Sequence, residues 1–207
     1  PHLSGSVPGL RHQTGLHCVT KSAECKLDVS GYGFSGLPGI VIGHNDRIAW
    51  GFTNLYADVA DLYLERVEGD TYLYDGEWLP METREEEFKV AGGETETITV
   101  RLTKHGPIMS DLDDDFTQAG ANLAELNGDN KYEVSLRWTA LDPAPTVDAV
   151  FKMNFAQNWE EFRAAAKSFA VPSQNLVYAD VDGNIGYQSP VIIPFRGKGD
   201  GTWPAPG

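Results

Sequence analysis

With 207 residues, 41% of them hydrophobic and 11% aromatic, the chain has the composition of a folded protein of one generous domain or two small ones. Thirty acidic residues against 16 basic ones give a formal charge of −14, a sign that repels phosphate backbones and argues against nucleic acid as a partner. No apolar run approaches the ~18 residues of a membrane span. The opening PHLSGSVPGL has no basic stretch followed by an apolar one, so no signal peptide is visible, and without an initiator Met these ends need not be those of the gene.

Residues 1–35 are rich in Gly, Ser and His with few periodic apolar positions, which suits loops and short strands. They contain both cysteines, Cys18 and Cys25, in CVTKSAEC. That spacing fits neither a CxxC redox motif nor a zinc site, which leaves a local disulfide in an oxidising compartment, with two free thiols as the alternative. From residue 36 strand signals dominate. Residues 39–42 and 47–52 read as two strands joined by the polar turn His44-Asn45-Asp46, and a loop carrying Asn54, Asp58 and Asp61 follows. Residues 61–67 alternate as a strand does. Residues 71–74 and 77–79 flank Asp75-Gly76, a type I′ hairpin signal. A second hairpin, 87–91 with 94–103, turns at Gly92-Gly93, with Thr95, Thr97, Thr99 and Arg101 as its wet face and Ile98, Val100 and Leu102 as its dry one.

His105-Gly106-Pro107 breaks that strand, and residues 110–131 read as a polar, solvated loop with a run of aspartates. Residues 133–140 form a strand around Leu136 and Trp138. Two consecutive helices come next, 147–155 and 158–170. In the second, Asn158 is the N-cap with Glu161 three residues on, Trp159, Phe162, Ala166 and Phe169 share a face, and Pro172 ends it. Residues 175–179 and 184–187 pair across Asp182-Gly183; DVDGN fails the twelve-residue calcium-loop pattern and reads as a turn. The tail from 193 shows no regular structure. Strands in hairpins plus two helices give an α+β class, with helices layered on a sheet.

Chemistry is less legible than fold. The sequence has no G-x-S-x-G elbow, Walker loop, H-E-x-x-H or dinucleotide fingerprint, and its five histidines are scattered. The strongest local group is Asn54, Asp58 and Asp61, where carboxylates and the carbonyls between them offer part of a calcium shell, against turn hydrogen bonding as the bland alternative.

The block PGIVIGHNDRIAWGFTN followed by DVADLYLE resembles the penicillin acylase family of N-terminal-nucleophile hydrolases, within the β chain. PHL at the start, TKHGPI at 103–108, and NWEEF leading to NLVYADVDGNIGY agree in order, so the likeness covers residues 1–207 as a partial domain of that type. It implies an αββα N-terminal-nucleophile core, present in part. It implies hydrolysis of the amide of an acylated small molecule (a β-lactam, an N-acyl-homoserine lactone or a lipopeptide) in an extracytoplasmic enzyme. It also implies an α chain of the same precursor as partner. The family's nucleophile is a Ser exposed as the chain's first residue, with its own α-amine as base, a role for which an unperturbed α-amine pKa of about 8 is suited.

Carried over residue by residue, the resemblance makes Asn54 an oxyanion donor through its backbone N–H. It puts His2 beside the nucleophile and makes Leu3, Ile42 and Trp138 acyl-pocket lining. Asp58, Asp61 and the carbonyl of Ala60 become ligands of a structural calcium. Residue 1 here is Pro. By the family pattern the nucleophilic Ser lies upstream of it and a second oxyanion donor, an Asn side chain, downstream of Gly207. The stretch 1–207 therefore reads as an internal piece, inactive by itself. The alternative reading is a catalytically silent, calcium-stabilised, β-rich binding module; a purely structural β protein ranks below both.

Overall fold

The computed structural model describes residues 9–20, 22, 25–126, 128, 130–197 and 200–207. His2 and Leu3 lie outside the described residues. The single span 1–207 read from the sequence divides into two compact units, 1–57 with 142–193 and 58–141 with 194–207. Both are strand-rich, with three α-helices in all among the described residues.

In the first unit, six strands form one antiparallel sheet in the order β1-β2-β3-β4-β11-β12. They are β1 (Arg11–His17), β2 (Asp28–Phe34), β3 (Leu37–Asn45), β4 (Ile48–Asn54), β11 (Gln174–Asp180) and β12 (Ile185–Gln188). The region expected to hold loops and short strands thus contributes two regular strands. Their low apolar content reflects close strand packing: a Cβ on Gly31 would lie 2.2 Å from the Ile42 carbonyl, and one on Gly43 2.2 Å from that of Ser30. Helices α2 (Thr146–Phe155) and α3 (Trp159–Ala166) supply the core of this unit. There Ala149, Met153, Phe162 and Ala166 pack with Ile40, Ile48, Trp50 and Leu176. The Asn158 side chain caps α3 by accepting from Glu161 N–H at 2.9 Å. The helix stops at Ala166, four residues before the expected end; Phe169 joins the core from the turn that follows.

The GHNDRIAWG block has a physical explanation. Asn45 Oδ1 accepts from the N–H groups of Arg47 and Ile48, both at 2.9 Å, closing the turn, while its Nδ2 donates to the Ala156 carbonyl at 2.8 Å. Trp50 Nε1 donates to the Val41 carbonyl at 2.9 Å across the hairpin. Between Tyr32 and Phe34 the β2–β3 register shifts, which leaves Ile40 outside the strand pairs. Asn154 of α2 serves it instead, accepting from Ile40 N–H at 2.8 Å and donating to its carbonyl at 2.7 Å, fully buried. Asn154→Ala orphans both groups, and we expect it to cost roughly 2–4 kcal/mol in denaturant unfolding. A loss indistinguishable from that at an exposed site would refute this pin.

In the second unit, β10 (Lys131–Trp138), β5 (Ala60–Glu68), β6 (Thr71–Tyr74) and β7 (Glu77–Pro80) form a sheet, and β13 (Ala205–Pro206) pairs parallel with β5. The tail is therefore not wholly irregular. Asp75 (φ 49°) and Gly76 (φ 84°) make the β6–β7 turn with the two positive φ values of type I′. The hairpin of β8 (Glu82–Lys89) and β9 (Thr95–Leu102) stands as a separate two-stranded sheet. Of its expected dry face, Ile98 is exposed while Val100 and Leu102 are half-buried. The stretch expected to be a solvated loop instead holds helix α1 (Asp114–Leu126). Asp113 Oδ1 accepts from Asp115 N–H at 2.8 Å at its start.

Candidate functional site

Asn54 ends β4, and its surroundings follow from ladder alternation. Leu55 N–H donates to the Ser173 carbonyl at 3.1 Å, and Val181 N–H to that of Arg47 at 3.0 Å, which identifies hydrogen-bonded pairs at both ends of the β4–β11 ladder. In an antiparallel ladder such pairs alternate with non-bonded ones, so Asn54, opposite Gln174, occupies a non-bonded position. Its N–H is thus directed off the β11 ladder, toward the side of β3, and its C=O is left for a side chain to serve. There, among the described residues, β3 pairs with β4 only at Ala49 and Trp50. The peptide groups after Asn54 are tied down: Ser173 Oγ donates to the Leu55 carbonyl at 2.9 Å, and Asn175 Nδ2 to the Asn54 carbonyl at 3.0 Å. A backbone N–H held at a strand end and directed off the ladder is the kind of group that stabilises a developing oxyanion.

The other predicted residues are distributed over both units. Ile42, in β3, is half-buried against the core of the first unit. Trp138, at the end of β10 in the second, is 42% exposed. Cys18 and Cys25 are joined as a disulfide, their Cα atoms 6.2 Å apart. The DVDGN run is a turn: Asp180 Oδ1 accepts from the N–H groups of Asp182 at 3.0 Å and Asn184 at 2.9 Å. With the Asn184 side chain also donating, the Asp180 carboxyl titrates below its ordinary range.

Asp58 and Asp61 are the carboxylates that the resemblance hands to calcium, and both are engaged by Arg196. Its Nε lies 2.8 and 3.1 Å from the two oxygens of Asp61, and its Nη2 lies 2.9 Å from Asp58 Oδ2. The hydrogen bond to Asp61 raises the guanidinium pKa still further. Gly201 (φ +81°) closes over the pair; a Cβ there would meet Asp58 Oδ2 at 2.9 Å. Calcium takes six to eight oxygen ligands. These oxygens are turned onto nitrogen donors, and among the described residues no group of three His, Cys, Asp or Glu side chains assembles for a metal. As arranged, the residues do not fit a calcium ion.

Sequence reasoning missed the most buried polar cluster. Along β5, Asp61, Tyr63 and Glu65 share a face by strand periodicity, and that face is inward: Glu65 is 0% exposed and Asp61 8%. Glu65 Oε1 accepts from Thr103 Oγ1 at 2.7 Å, Ser135 Oγ at 2.7 Å and His105 Nδ1 at 2.8 Å. The His105 ring stacks on Tyr63 with centroids 3.8 Å apart and planes at 6°. Burial pushes the Glu65 carboxyl up, but the hydrogen bonds from His105, Ser135 and Thr103 outweigh it and hold the group below its ordinary pKa. A second pairing sits beside a cavity of about 350 Å³ between α1 and β10. There Arg101 Nη2 meets Asp111 Oδ1 at 2.5 Å and Glu133 Oε2 at 2.7 Å, so the buried Glu133 carboxylate already faces a cation.

The comparisons with known proteins agree with the scaffold rather than with any one side chain. The family model described as penicillin amidase matches residues 1–207. Penicillin G acylase of Escherichia coli is 34% identical over 211 residues, covering 100% of this chain and 22% of that protein. Acyl-homoserine lactone acylase QuiP of Pseudomonas aeruginosa is 32% identical over 210 residues, covering 100% of this chain and 24% of that protein. A solved structure of a thermostable penicillin G acylase from Alcaligenes faecalis superposes with a TM-score of 0.76 at 30% identity, over 97% of this chain and 33% of that one. The chain thus spans 22–24% of the length of these curated relatives. Along its whole length, the chain belongs to the penicillin amidase family.

Proposed function

We propose that this chain is part of an amidohydrolase that cleaves the amide of an acylated small molecule, whether a β-lactam, an N-acyl-homoserine lactone or a lipopeptide. The observation that carries the reading is Asn54, whose N–H leaves the β4–β11 ladder at a strand end fixed by Ser173 and Asn175. In the proposed reaction an N-terminal Ser, upstream of residue 1, attacks the amide carbonyl after its α-amine takes the hydroxyl proton. The oxygen becomes an oxyanion held by Asn54 N–H. As the tetrahedral species collapses, the leaving amine takes that proton and an acyl-enzyme forms, which water then hydrolyses. His2 stands beside the nucleophile, and Leu3, Ile42 and Trp138 form apolar parts of the acyl site in this proposal. The two units belong to a larger αββα N-terminal-nucleophile fold that an α chain of the same precursor completes. The Cys18–Cys25 bond supports an extracytoplasmic location.

The full-length protein with a chromogenic acyl anilide tests this: we expect a burst of amine equal to the enzyme concentration. Absence of both burst and turnover across phenylacetyl and long-chain acyl anilides would leave the silent binding module standing. Calcium binding through Asp58, Ala60 and Asp61 is a separate proposal drawn from the resemblance, and it requires Arg196 to release both carboxylates. A calcium-dependent rise in Tm that Asp58→Ala abolishes supports it; an equal rise in both proteins rejects it.

A further inference from the structure

Asn175 lies on the face of the first sheet opposite the helices, one position before the core residue Leu176. Its amide is used at both ends. Nδ2 donates to the Asn54 carbonyl at 3.0 Å, crossing from β11 to β4, and Oδ1 accepts from the hydroxyl of Tyr187 on β12. A chain of side-chain hydrogen bonds therefore runs across three strands, Tyr187 to Asn175 to Asn54. It ends on a peptide oxygen that the ladder itself does not serve, because Asn54 occupies a non-bonded position.

Asn54 N–H belongs to the peptide shared with Thr53 and its carbonyl to the peptide shared with Leu55, so the two are related only by the backbone rotation at Asn54, and a clamp on the carbonyl restrains that rotation. We propose that Asn175, oriented by Tyr187, is a positioning residue that sets the direction of Asn54 N–H for oxyanion binding; this rests on the reading of Asn54 given above. Only a side-chain amide of this length serves. A carboxylate accepts from Tyr187 but has no hydrogen to give the Asn54 carbonyl, and an aliphatic side chain offers neither contact. Ser173 supports the next residue by bonding Leu55 on both its N–H and its carbonyl. Leu55 N–H and the Asn54 carbonyl are the two ends of one peptide group, so Ser173 and Asn175 clamp it together.

The test uses the full-length enzyme. Asn175→Ala, and the isosteric Asn175→Asp in case the first misfolds, are expected to lower kcat about 10- to 100-fold, somewhat less than deletion of an oxyanion donor, with KM changed by no more than about twofold. Tyr187→Phe, which keeps the amide but frees its orientation, should lose about 3- to 10-fold in kcat. A boronic acid bearing the acyl group, whose oxygen mimics the oxyanion, should weaken in parallel with kcat, whereas the product carboxylic acid should bind as in the parent. A purely structural role would instead lower Tm and shift both inhibitors together, and that result overturns the inference. So does unchanged kcat in folded Asn175→Asp. If the parent enzyme neither hydrolyses amides nor binds the boronic acid, the underlying reading fails, and that outcome is separate from a failure confined to Asn175.

Discussion

Glu65→Ala is expected to destabilise the second unit by about 3–5 kcal/mol, because removing one member of a buried, hydrogen-bonded ionic cluster leaves its partners unsatisfied. Thr103, Ser135 and His105 all direct their hydrogens at Glu65 Oε1, and they come from two segments: the turn after β9, which holds Thr103 and His105, and β10, which holds Ser135. Loss of the carboxylate thus detaches both the turn and β10 from β5 at once. Glu65→Gln keeps an acceptor oxygen for the hydroxyls and should fall between Ala and the parent. The sign of the pH effect follows from the depressed carboxyl. Stability contributed by a lowered acidic pKa is fully present above the ordinary value of 4.5 and disappears as pH falls below it through the folded-state pKa. The parent should therefore lose this stabilisation on acidification below about pH 4.5, and Glu65→Gln should show a flatter profile over the same window. Hydrogen exchange of the β5 and β10 amides in the full-length protein reads both effects. Protection in Glu65→Ala equal to that of the parent would refute the cluster's importance.

That cluster also shows what the sequence could and could not convey. The alternation of DLYLERV was read correctly as a strand, and the same alternation was silent on which face turns inward. Hydrophobicity points to Leu62 and Leu64, yet the buried positions are Asp61, Glu65 and Val67. The partners that make an inward carboxylate tolerable, Ser135 and Thr103, lie 70 and 38 residues away. Helix α1 was hidden for a related reason. The polar stretch with its run of aspartates read as a solvated loop, but Gly120 in mid-helix admits the strand behind it: a Cβ there would lie 2.2 Å from the Tyr132 carbonyl. By contrast, the turn at Asn45, the cap at Asn158 and the Asp75-Gly76 hairpin were legible because each is a contact between near neighbours whose chemistry is local. At the candidate site the sequence placed Asn54 in the loop after the strand 47–52, whereas β4 runs on to include it. It could not show Asn175, 121 residues on, reaching back to that carbonyl.

Arg196→Met is expected to lower Tm by roughly 5–10 °C, because it strands Asp61 as a buried carboxylate facing Met. Arg196 comes from a glycine-rich tail 135 residues from Asp61, and its fork of Nε and Nη2 spans two carboxylates that a single ammonium would bridge less well. Arg196→Lys should accordingly recover only part of the loss. The revealing comparison is Arg196→Met with Asp61→Asn. Removing both charges should return much of the Tm that the single change loses, since the damage lies in the unpaired charge rather than in missing attraction. A double variant no more stable than Arg196→Met would mean that Arg196 acts through packing under Gly201. The same protein separates guanidinium from cation at these carboxylates. With Arg196 gone, Asp58 and Asp61 have free oxygens, so added calcium should restore Tm to Arg196→Met by more than it raises that of the parent. Equal calcium responses would show that the two cations do not share the site, and the Asp61 carboxylate would then owe its stability to Arg196 alone.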